Sequence, residues 1–308
     1  MKRNLLGGVS AAVLVPRSPK GTIDWAEFSR ELDFLLQRGI SSFALNGATW
    51  EFCLQSPAEV RTMLAVAAEV LAGRGEFVVG IGASGHRGAI ELGEIAAQAG
   101  AKAVLLPMPY FFPYQQEDLM AFCREVAANV DLPVLLYNLP QFTSGLDPAT
   151  TLELVRSSEK IAGVKDSSGS LDTLRLLTAS DIDCCRLIGN DNVLTEALAE
   201  GVCDGVVSGV SAVLPELILA IYRVGSAGNE REMRRLKTGL DAVIAQIHGL
   251  PVPWGLKAIA EIRQIASTVF CQPLSLRRRA QLEDLREWFE KNSAELLVTR
   301  ASSERLAF

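Results

Sequence analysis

Short apolar runs recur along the chain, and each is followed by a longer stretch with helical period. The runs at 9–15, 42–45, 77–81, 103–106, 134–137, 161–165, 186–188 and 205–208 predict eight strands. They are apolar throughout and do not alternate, which implies burial on both faces, as in a parallel sheet. The intervening stretches are amphipathic: Trp25, Phe28, Leu32, Leu35 and Leu36 fall on one stripe of the first. Ser56-Pro57-Ala58-Glu59 supplies a Ser cap, a Pro at the first helical position and the Glu of a capping box. Asp147-Pro148 opens a later helix in the same way. Glycines at Arg38-Gly39-Ile40, Ala99-Gly100-Ala101 and Glu200-Gly201-Val202 supply left-handed C-caps that turn the chain back into a strand. Eight βα units in series predict an α/β fold of the closed (β/α)8 TIM-barrel type. From Pro215 to about Glu290 the pattern is purely helical, broken at 249–253 and at Gln272-Pro273. The expected division is a barrel with the active site over 7–225, a C-terminal helical extension over 226–295 and a tail over 296–308.

Composition narrows this picture. The 308 residues are 49% apolar and 21% charged, enough for a large packed core, and the net charge of −6 argues against nucleic acid or an anionic membrane as a partner. The cluster Arg277-Arg278-Arg279 reads as a solvated face. Six cysteines without CxxC spacing, two of them adjacent at Cys184-Cys185, suit a reducing cytoplasmic setting better than a disulfide framework or zinc site. With two histidines, His-based triads and His-rich metal sites are not expected. Met1-Lys2-Arg3 before the apolar residues 5–15 imitates a secretory signal, but Pro16-Arg17-Ser18-Pro19-Lys20 follows where a small-residue cleavage site should be. Residues 8–15 therefore read as the first core strand. No other run is long enough to span a bilayer.

Candidate chemistry gathers at strand ends, where such barrels carry their active sites. Lys165 closes the sixth run and opens the polar turn Asp166-Ser167-Ser168-Gly169. A free lysine amine, with pKa ~10.4, is mostly protonated at neutral pH; burial or a neighbouring cation favours the neutral amine, which can attack a ketone to form a Schiff base. Taken alone, Lys165 reads equally as a strand-end lysine reaching solvent. Tyr137 closes the fifth run and could be a packing ring. Thr49 follows the second and could be a turn residue. A closed barrel brings all three to one rim. Gly80-Ile81-Gly82-Ala83-Ser84-Gly85 matches G-x-G-x-x-G, but the next strand ends Leu106-Pro107-Met108-Pro109, without the acidic residue a dinucleotide fold requires. These glycines read as a tight rim turn, with Ser84 as a helix cap.

Gly47-Ala48-Thr49-Trp50-Glu51, Tyr137-Asn138-Leu139-Pro140, Gly163-Val164-Lys165-Asp166 and Gly205-Val206-Val207-Ser208 resemble, in order and spacing, the dihydrodipicolinate synthase/N-acetylneuraminate lyase family. The resemblance extends over about residues 7–295. It implies a metal-free class I lyase, often a homotetramer built as a dimer of dimers. Lys165 would form the Schiff base with pyruvate or another 2-oxo acid, without a cofactor, and Tyr137 would shuttle protons. Ala48 and Thr49 match the carboxylate-binding pair, and Val207 the position whose carbonyl faces the bound pyruvate. Four departures stand out. Ala48 lacks the usual hydroxyl, and Trp50 replaces a glycine. Phe111 stands where synthases place a tyrosine that reaches in from a neighbouring subunit. Phe142 stands where an arginine would hold the carboxylate of aspartate semialdehyde. Trp50, Phe111 and Phe142 are therefore expected to line an apolar specificity pocket. The sequence reading is a Schiff-base lyase acting on pyruvate or a 2-keto-3-deoxy acid. Dihydrodipicolinate synthase and a catalytically weakened 2-oxo acid-binding protein are the alternatives.

Overall fold

The structure, a computed structural model, describes residues 5–267 and 269–297. Its eight strands close into a barrel in the order β1-β2-β3-β4-β5-β6-β7-β8, all neighbours parallel. They are β1 (Gly8–Ala12), β2 (Ser42–Leu45), β3 (Glu76–Gly80), β4 (Ala103–Pro107), β5 (Val134–Asn138), β6 (Ile161–Asp166), β7 (Cys185–Ile188) and β8 (Gly205–Ser208). Helices alternate with them: α1 (Trp25–Gln37), α2 (Pro57–Leu71), α3 (His86–Gln98), α4 (Gln116–Asn129), α5 (Pro148–Ser157), α6 (Asp172–Ala179), α7 (Leu194–Glu200) and α8 (Pro215–Ser226). The chain continues through α9 (Glu230–Ile247), α10 (Trp254–Ile262) and α11 (Leu276–Leu296), so the gaps between these helices coincide with the expected breaks. Most of the expected tail, residues 298–308, lies outside the described residues, as do residues 1–4.

Two apolar cores account for the architecture. Outward strand residues such as Val134, Leu136 and Val164 pack against the helices. Inward ones, among them Ala44, Val78, Leu105, Leu135, Tyr137, Leu187 and Val207, fill the barrel, as expected where strands are buried on both faces. Local signals act as read. Ser56 and Glu59 form the reciprocal capping box of α2, Pro148 sits in the first turn of α5, and Gly39, Gly100 and Gly201 take φ of 93°, 78° and 66°. Two expectations need correction. Strand β1 ends at Ala12 and not at Val15, because the Leu14 N–H is captured at 2.8 Å by Glu31 Oε1 of α1 and leaves the ladder. The cap of α3 is Gly85 and not Ser84, and no side chain caps it.

Candidate active site

A break in phase on β6 aims the nucleophile. Ile161 packs outward and Ala162 inward; strict alternation would then turn Val164 inward and Lys165 outward. The register with β5 slips by one residue here, Val134 facing Ile161 and Leu135 facing Gly163. Such a bulge reverses the faces downstream. Val164 accordingly packs outward, and Lys165, 3% exposed, carries its Nζ to 3.9 Å from the centre of the Tyr137 ring. Only glycine fits at the bulge: Gly163 has φ 156°, and a Cβ there would lie 1.9 Å from the Cys185 carbonyl oxygen. Lys165 and Tyr137 are register partners on adjacent strands, and an ammonium over a phenol face is a favourable contact.

Buried polar atoms without partners mark the surroundings. Among the described residues they include Ser167 Oγ and Asp191 Oδ1, and Thr49 Oγ1 in the turn after β2 is another such atom. A Cβ added at Gly189 would fall 2.0 Å from Ser167 Oγ and 2.7 Å from Lys165 Cε, so the bare Cα of Gly189 leaves the room that both side chains occupy. Asp191 lies in the turn after β7, with Oδ2 accepting from Val210 N–H at 3.3 Å. Burial raises its carboxyl above the usual carboxylate range, opposed by the Ser208 hydroxyl, the Val210 N–H and the positive charge of Lys165. Folded proteins leave few such groups unpaired, because each costs ~1–3 kcal/mol. Neither Ser167 nor Asp191 stands out from sequence spacing; their position just past β6 and β7 was the available signal. The neighbouring polar ends are tied down instead: Asn138 Nδ2 donates to Asp166 Oδ2 at 3.1 Å, and Gln141 Nε2 donates to the Ser167 carbonyl at 2.9 Å.

The remaining expected site residues divide. Val207 shares the barrel interior with Tyr137. Thr49 is buried and Ala48 half-buried, both in the tight turn after β2, where Trp50 N–H and Glu51 N–H donate to the Gly47 and Ala48 carbonyls. Trp50 corrects the sequence reading. It is 1% exposed and packs edge-on against Phe28 of α1, ring centres 4.7 Å apart, as part of the outer core. Phe142 is 53% exposed in the turn that Gln141 fastens over Ser167, and Phe111 is 86% exposed beside Phe112. Phe111 therefore stays clear of its own chain's Lys165. The glycine run at 80–85 also has a mechanical account: a Cβ at Gly80 would strike the Asn46 carbonyl at 2.1 Å, and one at Gly82 the Phe52 ring at 2.3 Å. These glycines admit the β2 turn. No group of three or more His, Cys, Asp or Glu among the described residues could hold a metal ion.

A barrel with a lysine inside the carboxyl end of its sixth strand, facing a tyrosine of the fifth, defines a lysine-centred lyase scaffold. The model of the dihydrodipicolinate synthetase family matches residues 5–290, and the chain belongs to that family and is a lyase-type enzyme of it. It is 31% identical over 263 residues to the 4-hydroxy-tetrahydrodipicolinate synthase of Methanopyrus kandleri, covering 83% of this chain and 86% of the relative. To the N-acetylneuraminate lyase of Rhizobium meliloti it is 28% identical over 300 residues, covering 97% and 98%. A crystal structure of a dihydrodipicolinate synthase superposes with a TM-score of 0.84 at 26% identity, covering 92% of this chain and 99% of the other.

Proposed function

We propose that the protein is a class I lyase that forms a Schiff base between Lys165 and pyruvate or a 2-keto-3-deoxy acid. The observation that carries this reading is the Lys165–Tyr137 contact at 3.9 Å inside the barrel, with Thr49, Ser167 and Asp191 each offering a buried polar atom without a partner. Lys165 Nζ attacks the C2 ketone, and proton transfers through the Tyr137 phenol release the carbonyl oxygen as water. The resulting protonated imine draws in the electron pair of the C3–C4 bond. That bond breaks as the C4 hydroxyl gives up its proton, which the Tyr137 hydroxyl relays to C3 of the resulting enamine, so that hydrolysis of the imine frees Lys165, pyruvate and an aldehyde. Thr49, with Ala48 through its backbone, holds the substrate carboxylate, and the Val207 carbonyl faces the bound pyruvate. The orphaned oxygens of Ser167 and Asp191 suit a hydroxylated substrate.

A second reading, condensation of pyruvate with aspartate semialdehyde, is favoured by the name of the Methanopyrus kandleri relative. Against it stands Phe142, which offers no charge-assisted fork to a carboxylate. Phe111, at φ 87°, holds a conformation that costs a bulky residue ~1–3 kcal/mol. With Phe112 it supports a homo-oligomer, a tetramer in this reading, that covers the two rings. Six cysteines, with no disulfide among the described residues, fit a cytoplasmic enzyme.

Borohydride reduction in the presence of pyruvate is expected to leave a covalent adduct on Lys165 and none in Lys165→Ala, read by peptide mass mapping. An adduct undiminished in the variant would end the Schiff-base reading. Pyruvate offered with a panel of aldehydes is expected to favour hydroxylated aldehydes over aspartate semialdehyde; efficient turnover of the latter would put the second reading first.

A further inference from the structure

Four ionisable side chains lie beneath the turn that carries Thr49, and they come from three distant parts of the chain. Glu51, two residues after Thr49, takes a left-handed backbone at φ 58°, ψ 46° and turns its carboxylate inward, 9% exposed. Lys257 of α10, 2% exposed and 206 residues away, donates from Nζ to Glu51 Oε2 at 2.8 Å and to the Val269 carbonyl at 3.2 Å. Arg17, from the turn after β1, brings its Nε within 3.9 Å of the same Oε2, and the Cys271 thiol donates to that oxygen at 3.4 Å. Glu31 completes the set as a buried carboxyl that feels the charge of Lys257. The segment after α10 is fastened independently: Ser267 donates from N–H and Oγ to Glu27 Oε2, at 2.9 and 2.6 Å.

An apolar contact reaches the same turn from the same helix. A Cβ at Gly209, just past β8, would meet Leu256 Cδ1 at 3.1 Å and Thr49 Cγ2 at 3.3 Å. Leu256 and the Thr49 methyl thus flank one bare Cα. Helix α10 therefore touches the β2 turn through a buried ion pair at Glu51, and its Leu256 borders the same Gly209 Cα that the Thr49 methyl borders. Two desolvated charges are a costly way to hold two elements together, and apolar residues of similar volume often stabilise as well or better. What an ion pair adds is direction: the ammonium and the carboxylate at 2.8 Å meet in one orientation and so pin the register of the turn against the helix.

We infer that Lys257 and Glu51 are positioning residues that make the C-terminal helical extension part of the carboxylate subsite, setting Thr49 by bracing its turn from behind. This rests on the reading of Thr49 as the group that holds the substrate carboxylate. A subsite displaced by a fraction of an ångström loses affinity for the carboxylate while the lysine chemistry continues.

The test compares trapping of pyruvate with trapping of acetone, the same methyl ketone without the carboxylate, by borohydride at Lys165. It uses Lys257→Met and the charge-neutral pair Glu51→Gln with Lys257→Met, the latter because a lone buried carboxylate can prevent folding. Thr49→Val is the control. The expected result is a preference for pyruvate over acetone reduced about tenfold or more, with acetone trapping within about threefold of the unmodified protein. A folded double variant with an unchanged preference, while Thr49→Val lowers it, overturns the brace and leaves the carboxylate reading intact. If Thr49→Val also leaves the preference unchanged, the carboxylate reading falls and takes the brace with it.

Discussion

The two ends of the barrel treat buried polar groups in opposite ways. At the amino end, Arg186 of β7 donates to both carboxylate oxygens of Asp204, at 3.1 and 2.6 Å, and its backbone N–H donates to the same side chain at 2.8 Å. Asp204 N–H returns a bond to the Arg186 carbonyl, Tyr222 donates to the Asp204 carbonyl at 3.0 Å, and the Cys185 thiol donates to the Leu6 carbonyl. At the carboxyl end, Thr49 Oγ1, Ser167 Oγ and Asp191 Oδ1 are buried with no partner at all. Both sets are desolvated to a similar degree, so burial alone says nothing about role. What separates them is completion. A closed network stabilises the fold, whereas an open one is a standing cost that bound water or a ligand's groups offset. The same division is expected of barrels in general, with stability at one face and chemistry at the other.

Substitutions at each end should break or sharpen that contrast. The largest effect is expected from Tyr137→Phe, which should lower turnover by ~100- to 10,000-fold while the equilibrium yield of the pyruvate adduct and the melting temperature stay close to those of the parent. Near-normal turnover would mean that another group carries the proton. At the opposite end, Asp204→Asn should reverse the pattern, with activity per folded molecule retained and stability reduced. Breaking a buried pair costs ~3–5 kcal/mol, and with the Asp204 side chain 16% exposed the lower figure, about 3 kcal/mol, is expected in urea denaturation. Activity lost in step with stability would erase the distinction between the ends.

Glu31 belongs to neither pattern, and its effect should be smaller. One oxygen accepts from Leu14 N–H and the other has no partner. Burial pushes its carboxyl up to about 8, opposed by that N–H and by Lys257. Because the folded state holds this proton more tightly than the unfolded one, its contribution is greatest below about pH 4.5 and is lost as pH rises toward 8. Glu31→Gln should remove that slope and stabilise the protein by about 2 kcal/mol at pH 6.5 relative to pH 5, as read by denaturation at the two values. Parallel pH profiles for parent and variant would show that Glu31 does not titrate in this window.

The sequence by itself determined the barrel. Eight apolar runs separated by amphipathic stretches leave few ways to bury both faces of every strand, and closure of a parallel sheet follows from that need. It also placed Lys165, Tyr137 and Thr49 at or just past strand ends and so predicted one rim for all three; the Lys165–Tyr137 contact is the part of that expectation seen in the fold. Tertiary structure decided the rest, because each remaining point turns on which face a residue takes or which remote residue it meets. Period-two reasoning cannot locate the bulge at Gly163, yet that one extra residue turns Lys165 from the helices to the interior. Trp50 sits within a site motif but follows its apolar area into the core beside Phe28. Glu51 and Lys257 are 206 residues apart, and no local pattern ties them. Only when the chain is closed do two desolvated charges stand within 2.8 Å of one another, because a buried carboxylate must find its counter-charge wherever the fold brings one.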